Sequence, residues 1–148
     1  MPFRPITAAM LLLAATGPLA ALAQEATDPN VQARQALMRT IGQNTKVLGD
    51  MASGQAGYDA AAAEAAKAAL AAAAAEIPAR FEIQGAADPE STALPEIWTN
   101  WDDFVAKGQA LEAAVNAADV SSASAIQASM GGIGGACSAC HRAYRAQN

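Results

Sequence analysis

Five residues near the C-terminus constrain this chain more than any other stretch: Cys137-Ser138-Ala139-Cys140-His141. Both cysteines and the single histidine of the sequence fall in it. On a helix, positions three and four apart share a face, so the Cys137, Cys140 and His141 side chains point to the same side. Cys-x-x-Cys-His is the pattern of covalent c-type haem attachment. The chemistry needs that arrangement, because two thioethers hold the porphyrin edge while the neighbouring imidazole reaches the iron. Two other readings compete. A structural zinc site wants about four protein ligands, and two Cys with one His need a carboxylate from elsewhere. A thioredoxin-like redox pair expects a preceding strand in a βαβ unit, and no strand signal flanks the motif.

The other end of the chain reads as an export signal. Arg4 gives a short basic start, and an apolar run begins at Ala8 to Leu13 and continues to Leu22. Ala21-Leu22-Ala23 fits a small-residue cleavage site before Gln24. Thr16, Gly17 and Pro18 interrupt the run, which is short against the roughly 20 apolar residues of a membrane span. The expectation is a cleaved signal peptide over residues 1–23 and one haem domain over 24–148. Export to the periplasm agrees with haem attachment, because that compartment is oxidising. No later stretch is a plausible span; the alanine run at 60–75 is weakly hydrophobic and carries Glu64 and Lys67. The formal charge of −5 becomes one unit more acidic once Arg4 is removed. An acidic surface argues against nucleic acid and anionic membranes, and permits a basic protein partner.

Between these ends the apolar periodicity is helical. Asp28-Pro29 is an N-cap followed by a proline suited to the first turn. Val31, Leu37, Met38, Ile41, Val47, Leu48 and Met51 then mark one face, and Ser53 to Gly57 make a turn. A second, alanine-rich helix starts near Tyr58-Asp59, with Leu70, Ile77 and Phe81 inward and Pro78 ending or kinking it. Residues 82–95 form a connection longer than the usual 2–8 residues between helices, a length that often borders a functional site. A third helix carries Ile97, Trp98, Trp101, Phe104, Val105, Leu111 and Val115, with Asp102, Asp103, Lys107 and Glu112 off the stripe. Its aromatic residues read as core packing before they read as a cofactor box. Asp119 to Ser122 recap the chain. A fourth helix places Ile126, Met130, Ile133, Cys137, Cys140 and Tyr144 on one side.

Gly131, Gly132, Gly134 and Gly135 each cost that helix about 1 kcal/mol relative to Ala. Close approach of a backbone or a flat macrocycle is the expected compensation. The pattern as a whole predicts an all-α fold, an antiparallel four-helix bundle with covalently bound haem c.

With these residues assembled, the sequence resembles the cytochrome c′ family, the class II c-type cytochromes. The resemblance is carried by Arg34-Gln35-Ala36-Leu37-Met38, Gly57-Tyr58-Asp59, Pro95-Glu96-Ile97-Trp98 and the stretch from Ile133 to Arg145. It implies thioethers at Cys137 and Cys140 and His141 as proximal iron ligand. It also implies haem contacts at Arg34, Gln35, Thr92 and Arg145, with Arg34 and Gln35 approaching the propionates. Met38 matches a position that in one branch is the sixth ligand and in another only covers the distal face. Met130, on the same helix as His141, is badly placed for the opposite face of the iron. Two functions follow from the two branches: a periplasmic one-electron carrier serving redox protein partners, or a binder of nitric oxide or carbon monoxide at an open iron. Homodimers are frequent among such proteins, and the first helix is a plausible interface. An enzyme is not expected, because the only histidine is taken by the iron and none remains as a general base.

Overall fold

The computed structural model describes residues 25–147, so the expected signal segment and its cleavage site lie outside the described residues. Six helices follow in order: α1 (Pro29–Ser53), α2 (Ala60–Ala75), α3 (Ile77–Phe81), α4 (Glu96–Thr99), α5 (Trp101–Ala117) and α6 (Ala123–Tyr144). The four long ones form an antiparallel four-helix bundle. α1 packs on α2 and α6, and α5 packs on the same two, so the helices stand at the corners of a square.

The caps explain the boundaries. Asp28 accepts from the Asn30 and Val31 amides with Pro29 in the first turn, and Gly54 ends α1 in the left-handed conformation at φ 76°. That conformation suits a residue without a Cβ. Asp59 caps α2 through the Ala62 amide, and Ser122 caps α6 through the Ala125 amide. The alanine-rich α2 buries Ala63, Ala66, Leu70, Ala73 and Ala74. Small side chains there let the neighbouring helices come close. Gly108 of α5 shows the same economy of space, since a Cβ built on it would lie 3.3 Å from Ile77 Cγ2.

Two sequence expectations need correction. The third helix is not continuous. Asn100 (φ −121°, ψ 46°) separates α4 from α5. The break lets Trp98 donate from Nε1 to the Phe81 carbonyl at 2.7 Å while Trp101 stacks on Phe104 at 5.6 Å. One uninterrupted helix would put the two indoles in fixed register. The four glycines of α6 are also not points of close backbone approach. All four are exposed, and a Cβ on any of them would meet nothing within 4 Å.

The connection over residues 82–95 is tied at both ends. Near its start, Asp28 accepts from the Ala86 amide at 2.9 Å, and Asp88 accepts from the Thr27 and Asp28 amides at 2.7 and 2.9 Å. Gly85, at φ 76°, passes so close that a Cβ would lie 2.6 Å from Asp28 Oδ1. Further on, an antiparallel bridge joins Ala93 to Arg145. The Leu94 amide donates to the Tyr144 carbonyl at 3.0 Å and the Ala146 amide to the Thr92 carbonyl at 2.8 Å. The crossover is thereby held against both the first turn of α1 and the last turn of α6.

Candidate functional site

A cleft of about 610 Å³ opens where α1, α5, α6 and the crossover meet. That volume is within the range of small-molecule and cofactor sites, about 300–1,000 Å³. All eight candidate residues line it: Arg34, Gln35, Met38, Thr92, Cys137, Cys140, His141 and Arg145. Apolar walls are supplied by Val31, Ile41, Ile77, Phe81, Ile97, Phe104 and Leu111.

α6 contributes the reactive wall. Ile126, Ile133 and Tyr144 are buried and fix its rotation. Cys137, Cys140 and His141 follow the same side and stay half-buried at the cleft. Burial pushes both thiols above the usual cysteine range, with Lys107 opposing this at Cys140. Burial also lowers the His141 pKa, and the Arg145 charge adds to that. Both causes favour the neutral imidazole, the form that ligates a metal. Tyr144 closes this end. Its ring meets Phe104 edge-on at 5.4 Å and its hydroxyl donates to the Asp103 carboxylate. That bond pushes the Tyr144 pKa up to about 12.

α1 contributes the facing residues. Arg34 is only 4% exposed. Its guanidinium lies 5.5 Å from the Phe81 ring centre and 5.4 Å from that of Trp98. Nη1 donates to the Ile83 and Gln84 carbonyls at 2.9 and 3.1 Å. Gln35 Nε2 donates to the Glu90 carbonyl at 3.0 Å. These two side chains therefore also hold the crossover that completes the cleft. Met38 lies one turn further along α1, half-buried against the core. Met130 is not in the lining; its Cε sits 3.8 Å from where a Gly49 Cβ would be.

The aromatic cluster divides. Phe104 reaches the cleft, whereas Trp98 and Trp101 pack behind it. Three charged residues of the cleft carry no signal in the sequence: Arg39, Glu90 and Lys107. Lys107 lies off the apolar stripe of α5, but that side of α5 borders the cleft and not another helix.

The residues fit a c-type haem. Two thiols and an imidazole occupy one wall, the lining is mainly aliphatic and aromatic, and the buried Arg34 cation is outside every ion pair among the described residues. The alternatives fare worse. No group of three or more His, Cys, Asp or Glu among the described residues is arranged to hold a metal ion. The preceding element of the Cys pair is helix, not the strand a thioredoxin-like motif expects.

Known proteins agree with the geometry. Residues 29–145 match the cytochrome c′ family profile. A cytochrome c-556 of Agrobacterium fabrum is 34% identical over 117 residues, spanning 79% of this chain and 75% of its own. The solved cytochrome c′ of Rhodopseudomonas palustris has a TM-score of 0.74 at 30% identity, across 80% of this chain and 97% of that one. A ferrous cytochrome c′ variant from Alcaligenes xylosoxidans with bound nitric oxide gives 0.67 at 30% identity, across 80% and 94%. The match runs from the first turn of α1 to the end of α6, the two helices that bring Met38 and His141 to one cleft, and the chain belongs to the cytochrome c′ family of c-type haem proteins.

Proposed function

We propose that this protein is a periplasmic one-electron carrier. When bound, the haem supplies a ferrous–ferric couple whose potential and access the protein sets. Cys137 and Cys140 attach it, and His141 is the proximal ligand. Met38 provides the sixth ligand, Arg34 approaches the propionates, and Gln35, Thr92 and Arg145 complete the contacts. The observation that carries this reading is the presence of Met38 and His141 in one cleft, from the first and last helices. A sulfur and an imidazole held by two packed helices keep reorganisation small. Redox proteins are then its counterparts. Catalytic turnover is not part of the proposal, because the only histidine serves the iron.

The nitric oxide bound to the relative from Alcaligenes xylosoxidans supports a second reading. There Met38 only covers the distal side, and the protein binds nitric oxide or carbon monoxide. The optical spectrum of the purified holoprotein with and without carbon monoxide separates the two. Low-spin bands indifferent to the gas, and a change of spin state in Met38→Ala, support the carrier. A gas-induced shift in the unaltered protein supports the binder.

A further inference from the structure

The cleft carries charge of the opposite sign to the molecule around it. The sequence holds nine Lys and Arg against fourteen Asp and Glu, and all but Arg4 lie within residues 25–147. Four of those cations line the cleft (Arg34, Arg39, Lys107 and Arg145) against one acid, Glu90. The lining therefore balances at +3 (four less one), and the other described residues at −9 (four cations less thirteen acids). Two haem propionates would reduce the first figure to +1 and leave the second unchanged. Lys107 is partly engaged, 3.6 Å from Asp103. Arg39 and Arg145 are exposed and stand outside every ion pair among the described residues.

We infer that the rim of this cleft is the docking surface for an acidic face of a protein redox partner, with Arg39 and Arg145 as its exposed cations. The inference rests on the one-electron reading and names the partner's chemistry. The overall acidity of the chain permits a basic partner, but the rim of the redox site presents two exposed cations, Arg39 and Arg145, that no acid among the described residues pairs. A local positive field in a low-dielectric cleft attracts anionic surfaces and speeds their encounter. The acidic remainder repels the same surface elsewhere, so the molecule presents its cleft first. The step is transfer of one electron to the partner's oxidised centre, with no bond made or broken.

The test is stopped-flow oxidation of the reduced holoprotein by hexacyanoferrate(III), by tris(phenanthroline)cobalt(III) and by a neutral quinone, at low and high salt. The anionic oxidant is expected to slow about tenfold with salt, the cationic one to speed up, and the quinone to stay level. Arg39→Glu lowers the low-salt rate with the anion by about threefold, whereas Arg80→Glu, the same charge change outside the cleft, does not. Polyglutamate competes with the anionic oxidant, and Arg39→Glu relieves that competition. Equal salt dependence for anion and cation, or inhibition by polylysine in place of polyglutamate, overturns the docking surface alone. Failure of all three oxidants, the quinone included, overturns the carrier reading and the docking surface with it.

Discussion

The Tyr144 hydroxyl donates to the Asp103 carboxylate across the α5–α6 interface, at the edge of the haem cleft. Asp103 also faces Lys107 at 3.6 Å, so one carboxylate serves a phenol and an ammonium. The phenol stays protonated to about pH 12, against an ordinary tyrosine pKa of about 10. A raised folded-state pKa means that the contribution to stability is full below pH ~10 and lost as pH climbs through about 12. Asp103→Asn should bring the Tyr144 titration back toward pH ~10. Tyrosinate absorbance in a Tyr58→Phe background reads this directly, and an unchanged midpoint would show that Asp103 is not the cause.

Arg34 is held by two aromatic faces and two carbonyls of the crossover. Arg34→Ala is expected to cost about 2–4 kcal/mol, because two charge-assisted bonds are lost in a buried place. Arg34→Lys recovers only part of this, since an ammonium cannot stack flat between two rings. Urea unfolding of the holoprotein measures both. Equal stability of the Lys variant and the original would mean that the stacking contributes nothing.

The glycines of α6 and α5 predict opposite signs. Gly131, Gly132, Gly134 and Gly135 have open space at the Cβ position, so Ala at any one should stabilise by about 0.5–1 kcal/mol through helix propensity. Gly108→Ala should destabilise, because its Cβ falls 3.3 Å from Cγ2 and 3.5 Å from Cβ of the buried Ile77, which has no room to give, and that crowding outweighs the same propensity gain. Thermal unfolding of the five single variants decides. A loss of stability in the α6 set would mean that some partner, haem included, uses that face.

Asp28 and Asp88 are both held below the usual carboxylate range by backbone amides, Ala86 first for Asp28 and Asp28 first for Asp88. Depressed folded-state values place their contribution above pH ~4, and it disappears as the pH falls through the lowered values. The crossover and the first turn of α1 should therefore loosen together in acid. In hydrogen exchange, the amides of Thr27, Ala86 and Glu90 are expected to lose protection as a group, and Asp88→Ala to produce the same loss for Thr27 and Glu90 at neutral pH. Independent exchange of the two segments would contradict the tie between them.

Cys137 and Cys140 allow an all-or-none test of attachment. The double Ala variant should lose all haem on denaturing electrophoresis, while either single variant keeps one thioether and a haem-stained band. Haem that remains covalently bound to the double variant would place the attachment elsewhere.

Much of this fold could be read locally. Asp28, Asp59 and Ser122 are caps that announce helix starts within a few residues. The stripes of α1 and α6 point where the periodicity says they should, except at Val47, which is 38% exposed on the outer side of α1. The site motif was equally local, since five consecutive residues carry it. What escaped was whatever depends on distant partners. Nothing around Asn100 advertises a break; the break exists because Trp98 turns toward Phe81 and Trp101 toward Phe104. Lys107 looked like a solvated residue because the cleft, unlike a helix neighbour, accepts polar side chains. The glycines of α6 imply a close neighbour, and no protein atom supplies one, since a Cβ on any of the four meets open space.

The square of helices also fixes the order of events in folding. α1 with α2, and α5 with α6, are hairpins whose contacts are near in sequence, and local contacts of this kind form fastest. Met38 and His141 belong to different hairpins, so their cleft exists only after the two have docked and the larger loop-closure entropy has been overcome. If Met38 and His141 both ligate the iron, the spectroscopic signal of that coordination would time the docking of the halves, while far-ultraviolet circular dichroism would already have recorded the helices.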